Sequence, residues 1–153
     1  MGFFSKLGLR LRRVLGINLQ ANLRSVASET LSARTIPEDR ELTDEERALI
    51  NWLIVNGEPE AAFYKEQLRD LRVISRCGCG CPTIDLVVGR ANSATTGPSR
   101  ILADFVGSTV EGVQVGVTLH AREGKISELE IYELGEPVKS LPKLESLRSF
   151  GPP

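Results

Sequence analysis

Long hydrophobic stretches are missing from this chain of 153 residues: runs such as Leu53 to Val55 and Leu86 to Val88 are typical of its apolar segments. A helix that crosses a bilayer needs roughly 20 apolar residues in succession, so none is expected here. Histidine is almost absent, with His120 alone, which rules out a paired-histidine metalloprotease motif. There is no Gly-x-Ser-x-Gly elbow and no phosphate-cradling glycine loop ending in Lys-Ser or Lys-Thr. Aromatic residues make up 5% of the chain, too few for a surface that stacks on bases. Cysteine is scarce and unevenly placed: all three, Cys77, Cys79 and Cys81, lie within five residues. A secretory disulfide framework needs an even number of spaced partners, and a reducing cytoplasm is the simpler setting.

What is present is an ordinary globular composition, 41% apolar and 25% charged, sufficient for one core in a chain of this length. The net charge of −1 conceals a division. Residues 1–34 hold six bases against one acid, a net +5, whereas residues 35–153 hold thirteen bases against nineteen acids, a net −6. Within the basic part, Phe4, Leu7, Leu11, Val14 and Leu15 form an apolar stripe at helical spacing, with Phe3 beside its start, and Lys6, Arg10 and Arg13 occupy another side. This pattern predicts an amphipathic helix over the N-terminal arm, suited to an anionic membrane surface or a partner's groove, or to packing on its own domain. Residues 35–42, with Pro37 among charges, read as a linker.

The body, 43–150, reads as one α+β domain. Thr43 followed by Glu46 is a capping box, and the helix it opens runs to about Asn56, with Gly57 placed to end it. Pro59 begins a second helix along Ala61, Tyr64, Leu68 and Leu71, making an αα-hairpin. The period then falls to two, and strands are expected at Val73 onward, Ile84 to Val88, Ile101 to Val106, Val113 to Ala121 and Ile126 to Leu134. Gly124 supplies the positive φ of a hairpin between the last two. Helices followed by such strands predict an antiparallel meander with helices on one face.

The Cys77-Gly78-Cys79-Gly80-Cys81-Pro82 run is the most distinctive motif. On a flat strand its sulfurs would stand about 7 Å apart from neighbour to neighbour, too far for one tetrahedral metal. A turn at the glycines would gather them, and His120 is the candidate fourth ligand for zinc. The competing expectation is a structural role, with small thiol side chains packed under the sheet. Glu128, Glu130 and Tyr132 alternate along one strand face as a candidate partner surface, or simply its solvated side.

From Leu42 to Phe150 the chain resembles a group of small bacterial α+β proteins. The resemblance is carried by the cysteine run with Thr83-Ile84-Asp85-Leu86, by Leu129-Glu130-Ile131-Tyr132-Glu133-Leu134, and by Leu141-Pro142 with Ser146-Leu147-Arg148. In size and shape it is also similar to immunity proteins, which implies binding to another protein. The expected function is therefore a non-enzymatic interaction protein without a catalytic residue or cofactor and without specific nucleic-acid binding. Its expected location is cytoplasmic and peripheral to a membrane through the arm. The alternative is a small zinc protein using Cys77, Cys79, Cys81 and His120.

Overall fold

The structure is a computed structural model that describes residues 35–90 and 95–150. The expected amphipathic helix, with Phe3, Phe4, Lys6, Leu7, Arg10, Leu11, Arg13 and Val14, lies outside the described residues.

Strand β1, Thr35–Glu41, occupies the segment read as a linker. It pairs antiparallel with β2, Leu71–Cys77, from Thr35 opposite Cys77 to Glu41 opposite Arg72. Pro37 obscured it in sequence. Proline cannot donate to a ladder, so it is confined to edge strands and irregular positions, and here it sits on an edge strand beside a register shift between Pro37 and Arg40. Arg40 then ties the strand to the helix that follows. Its Nη1 and Nη2 donate to the two carboxylate oxygens of Glu46 at 2.8 and 2.9 Å, and its Nε donates to Glu38 at 2.8 Å.

Helix α1, Asp44–Asn56, has the expected capping box: the Glu46 amide donates to Thr43 Oγ1 at 3.1 Å and the Thr43 amide donates to Glu46 Oε2 at 2.8 Å. Leu49, Ile50, Leu53 and Ile54 are buried on its inner side, each contributing roughly 1.5–3 kcal/mol relative to exposure. Trp52 meets Phe105 edge to face, with ring centroids 4.9 Å apart. Gly57 does end the helix, though through close approach and not through left-handed backbone. Its φ is −77°, and a Cβ there would lie 2.4 Å from the Leu102 carbonyl oxygen.

The second helix differs in kind: Pro59–Asp70 is a 3-10 helix of 12 residues. Three residues per turn place Ala61, Tyr64 and Gln67 on one side. Gln67 exploits this by donating to the Gly124 carbonyl at 2.8 Å and accepting from the Ile126 amide at 2.9 Å.

The remaining strands are β3, Ile84–Val88, β4, Arg100–Ser108, β5, Gln114–Arg122, β6, Lys125–Glu133, and the short β7, Arg148–Ser149. All pair antiparallel, in the order β1-β2-β3-β6-β5-β4-β7. The sheet is therefore two meanders joined where β3 meets β6, and one strand precedes the helices. The β5–β6 turn has Glu123 at φ 52° and Gly124 at φ 72°, the doubly positive backbone of a tight two-residue hairpin. The core lies under the helices, where α1 meets side chains such as Leu86, Leu102, Val117, Leu119, Leu129 and Ile131. Among the described residues, no helix is long and apolar enough to cross a membrane.

Candidate metal centre

The cysteine motif forms the connection between β2 and β3. The ladder closes at its base, where the Cys77 amide donates to the Thr83 carbonyl at 3.0 Å. Thr83 then anchors the connection to β6, its hydroxyl donating to the Ile131 carbonyl at 3.1 Å and accepting from the Ile131 amide at 2.9 Å. Between these clamps the chain turns, with the Gly80 amide donating to the Cys77 carbonyl at 3.4 Å. Gly80 has φ +89°, a backbone that residues with a Cβ rarely adopt. Extended geometry thus ends at Cys77, and Cys79 and Cys81 belong to the turn.

This turn gathers the three thiols. Their sulfurs lie within 4.8 Å of one another, and Cys77 Sγ and Cys79 Sγ are 2.9 Å apart. A tetrahedral metal with metal–sulfur bonds of about 2.3 Å holds its sulfurs roughly 3.8 Å from each other, a spacing within reach of small side-chain rotations. Cys79 is exposed, and Cys77 and Cys81 are half-buried. The expectation that the thiols pack under the sheet is therefore corrected: only Cys81 lies against the edge of the core, and the sulfurs meet each other at a surface turn.

Electrostatics within the trio are uneven. Cys77 is pushed up to about 11, first because its thiol hydrogen bonds to the Cys79 sulfur and further by burial. Cys79 moves the other way, lowered by hydrogen bonds from the Cys77 and Cys81 thiols and from the Cys81 amide, whose nitrogen is 3.4 Å from the sulfur. Cys79 is thus shifted toward the thiolate, the form that ligates metals.

The structure does not bring His120 to these sulfurs. It sits on β5, two strands from β3 across β6, about 10 Å of lateral strand spacing. Both ring nitrogens are engaged elsewhere: Nδ1 with Ser99 Oγ at 2.8 Å and Nε2 with Glu130 Oε2 at 2.9 Å. With the proton on Nε2, the ring donates to Glu130 and accepts from the Ser99 hydroxyl, so both of its polar atoms are satisfied. Sequence reasoning missed Ser99, which lies 21 residues from His120 and carries no local motif.

The residues considered as a partner surface lie together on the sheet face away from the helices. Glu128 stands opposite Asp85 of β3 and His120 of β5, and Arg122 Nη2 is 3.8 Å from its carboxylate. Its carboxyl is raised above the ordinary range, first by burial and then by the nearby Asp85 and Glu130 charges. Asp85 accepts a hydrogen bond from the Ser75 hydroxyl. Tyr132 lies over Gly116, its cross-strand partner, where a Cβ would fall 1.9 Å from the ring. Glu128 and Glu130 are thus tied to neighbours on the same sheet.

The chain matches no known family model, no curated protein and no solved structure.

Proposed function

We propose that this protein binds a soft metal ion through Cys77, Cys79 and Cys81. The observation that supports the reading most directly is the gathering of three sulfurs within 4.8 Å at a surface turn. Thiolate clusters select soft or borderline ions such as zinc and monovalent copper over calcium, magnesium or manganese. Serving as ligands needs no enzymatic activity, and the protein's role in this reading is to hold the ion. The test is elemental analysis of reduced protein purified without added metal and then equilibrated with zinc or anaerobic monovalent copper. The expected result is one ion per chain after gel filtration, and none retained by the triple variant Cys77→Ser, Cys79→Ser, Cys81→Ser. Equal metal content in the two proteins would overturn the reading.

A second reading, an interaction protein docking another protein or an anionic membrane through residues 1–34, is favoured by the charge division of +5 against −6 across the chain. Basic segments near anionic lipid contribute about 1 kcal/mol per Lys or Arg and are screened by salt. Co-sedimentation with phosphatidylserine vesicles at low and high salt tests it. Binding lost when residues 1–34 are removed is expected, and equal sedimentation with and without them would count against the arm.

A further inference from the structure

We infer, resting on the metal-binding reading above, that the cysteine turn is an exchange site for monovalent copper: it holds the ion with three thiolates and leaves a fourth position open to an incoming thiolate. The number of ligands carries the first step. Structural zinc is almost always four-coordinate and fully enclosed by protein ligands, whereas among the described residues the convergent group consists of Cys77, Cys79 and Cys81 alone. His120, the only histidine, is held by Ser99 and Glu130 on another part of the sheet. Three sulfurs leave a closed structural zinc site one protein ligand short, and zinc here would have to complete its four positions with water or an outside ligand. A monovalent d10 copper ion is satisfied by three thiolates in a plane, which at bonds near 2.3 Å requires sulfurs roughly 4.0 Å apart; this lies inside the 4.8 Å limit observed and asks Cys77 and Cys79, 2.9 Å apart, to separate by about 1 Å as the ion enters.

Placement in the chain carries the second step. All three ligands fall within five residues, Cys77 to Cys81, so the unfolded chain keeps the same donors at nearly the same effective concentration. A ligand stabilises a fold only by the difference between its affinities for the folded and unfolded chains. Metal at this turn is therefore almost uncoupled from folding, unlike a zinc finger, whose ligands meet only when the chain folds. A site that contributes little to stability and faces solvent at Cys79 is suited to carrying an ion rather than to building a domain.

Exchange follows from the open position. An incoming thiolate forms a bond to copper, one turn sulfur leaves as a thiolate and takes a proton from water, and copper remains monovalent throughout. No oxidant or reductant takes part.

The experiment uses the full chain, reduced and anaerobic, with copper delivered from a coloured monovalent-copper chelator. Four results are expected together. One copper binds per chain; X-ray absorption shows a shell of three sulfurs without nitrogen or oxygen; added glutathione speeds return of copper to the chelator; and the thermal midpoint moves by less than about 2 °C on loading. A site coupled to folding and saturated at about 1,000 times its Kd would move the midpoint by roughly 10 °C. A shell containing nitrogen or four sulfurs, a midpoint shift of that larger size, or release unaffected by glutathione would overturn the exchange site while leaving metal binding intact. Retention of neither copper nor zinc above the triple-serine protein would instead overturn the metal-binding reading itself. The variant is a fair control because the substituted sulfurs lie at a surface turn, with only Cys81 touching the core edge.

Discussion

Two turns in the same half of the sheet use their polar atoms in opposite ways. At the β1–α1 corner, Thr43, Glu46, Arg40 and Glu38 exchange hydrogen bonds until the helix start and the strand are both satisfied. At the β2–β3 turn, the backbone is clamped by Thr83, yet the three thiols find mainly each other. The corner converts its chemistry into stability. The cysteine turn holds its donors in place and leaves them available. A region with satisfied polar groups should be costly to alter and chemically silent, and a region with gathered but unsatisfied ligands should show the reverse.

The largest expected effect tests how tightly the body is packed at the far end of the helix that this corner starts. Gly57→Ala would put a Cβ 2.4 Å from the Leu102 carbonyl and 2.6 Å from the Leu53 carbonyl. Backbone cannot swing aside as a side chain can, so unfolding in urea should show a loss of about 3 kcal/mol. A loss below about 1 kcal/mol would mean that the helix end is free to shift.

Next comes the corner itself. Glu46 is 7% exposed, and removing its carboxylate breaks the cap and leaves the Arg40 guanidinium with only Glu38 and the Glu41 carbonyl to bond. Glu46→Ala should cost about 2 kcal/mol in urea unfolding. Burial works to raise this carboxyl, but bonds from Arg40 and from the Thr43 amide outweigh it, and the net displacement is downward. A lowered folded-state pKa means that the unfolded chain takes up the proton first as pH falls. The Glu46 contribution is then complete above the ordinary carboxylate value of about 4.3 and lost as pH drops through the folded value. Glu46→Gln should flatten that acid-side decline, and an unchanged slope between neutral and acid pH would break the assignment.

These two residues also show what sequence could reveal. The capping box was legible because Thr43 and Glu46 are three apart and their bonding is local. Arg40 was not, because its partner is fixed only once β1 pairs with β2, and that pairing is decided by contacts more than 30 residues away. Pro37 steered the local reading toward a linker. Likewise the 3-10 helix Pro59–Asp70 carries a bond that local sequence does not reveal, from Gln67 to the β5–β6 turn 57 residues on. The cysteines were legible as candidate ligands, and the decision between strand and turn rested on Gly80 adopting positive φ. Glycine permits that conformation without demanding it.

A smaller effect of opposite sign is expected on the outer sheet face. The Glu128 carboxyl is raised, first by burial, so the folded chain holds this proton more tightly than the unfolded one. Stability therefore falls as pH rises from about 4.3 through the folded value and stays lower above it. Glu128→Gln should stabilise the protein at neutral pH by less than about 1 kcal/mol after solvent screening, with no gain below about pH 4. Destabilisation at neutral pH would instead show that the pairing with Arg122 outweighs burial.

The smallest effect on stability belongs to the other side of the comparison, and it should accompany the largest effect on chemistry. Replacing Cys77, Cys79 and Cys81 together by serine leaves the Thr83 clamps, the Gly80 turn and the β2–β3 ladder untouched. Serine is close to cysteine in size, and the substituted atoms lie mainly at the surface. Urea unfolding of the metal-free proteins should therefore differ by no more than about 0.5 kcal/mol. Metal retention should disappear completely, because hydroxyls are neither soft nor ionised at neutral pH. Gly80→Ala sharpens the same contrast: it keeps all three sulfurs but strains the positive-φ backbone that gathers them. It should cost about 1 kcal/mol of stability while leaving metal affinity within about twofold, because the five-residue spacing of the ligands, and not the fold, supplies the donors. If that variant loses most of its metal affinity, the preformed turn contributes to binding, and metal is coupled to folding after all.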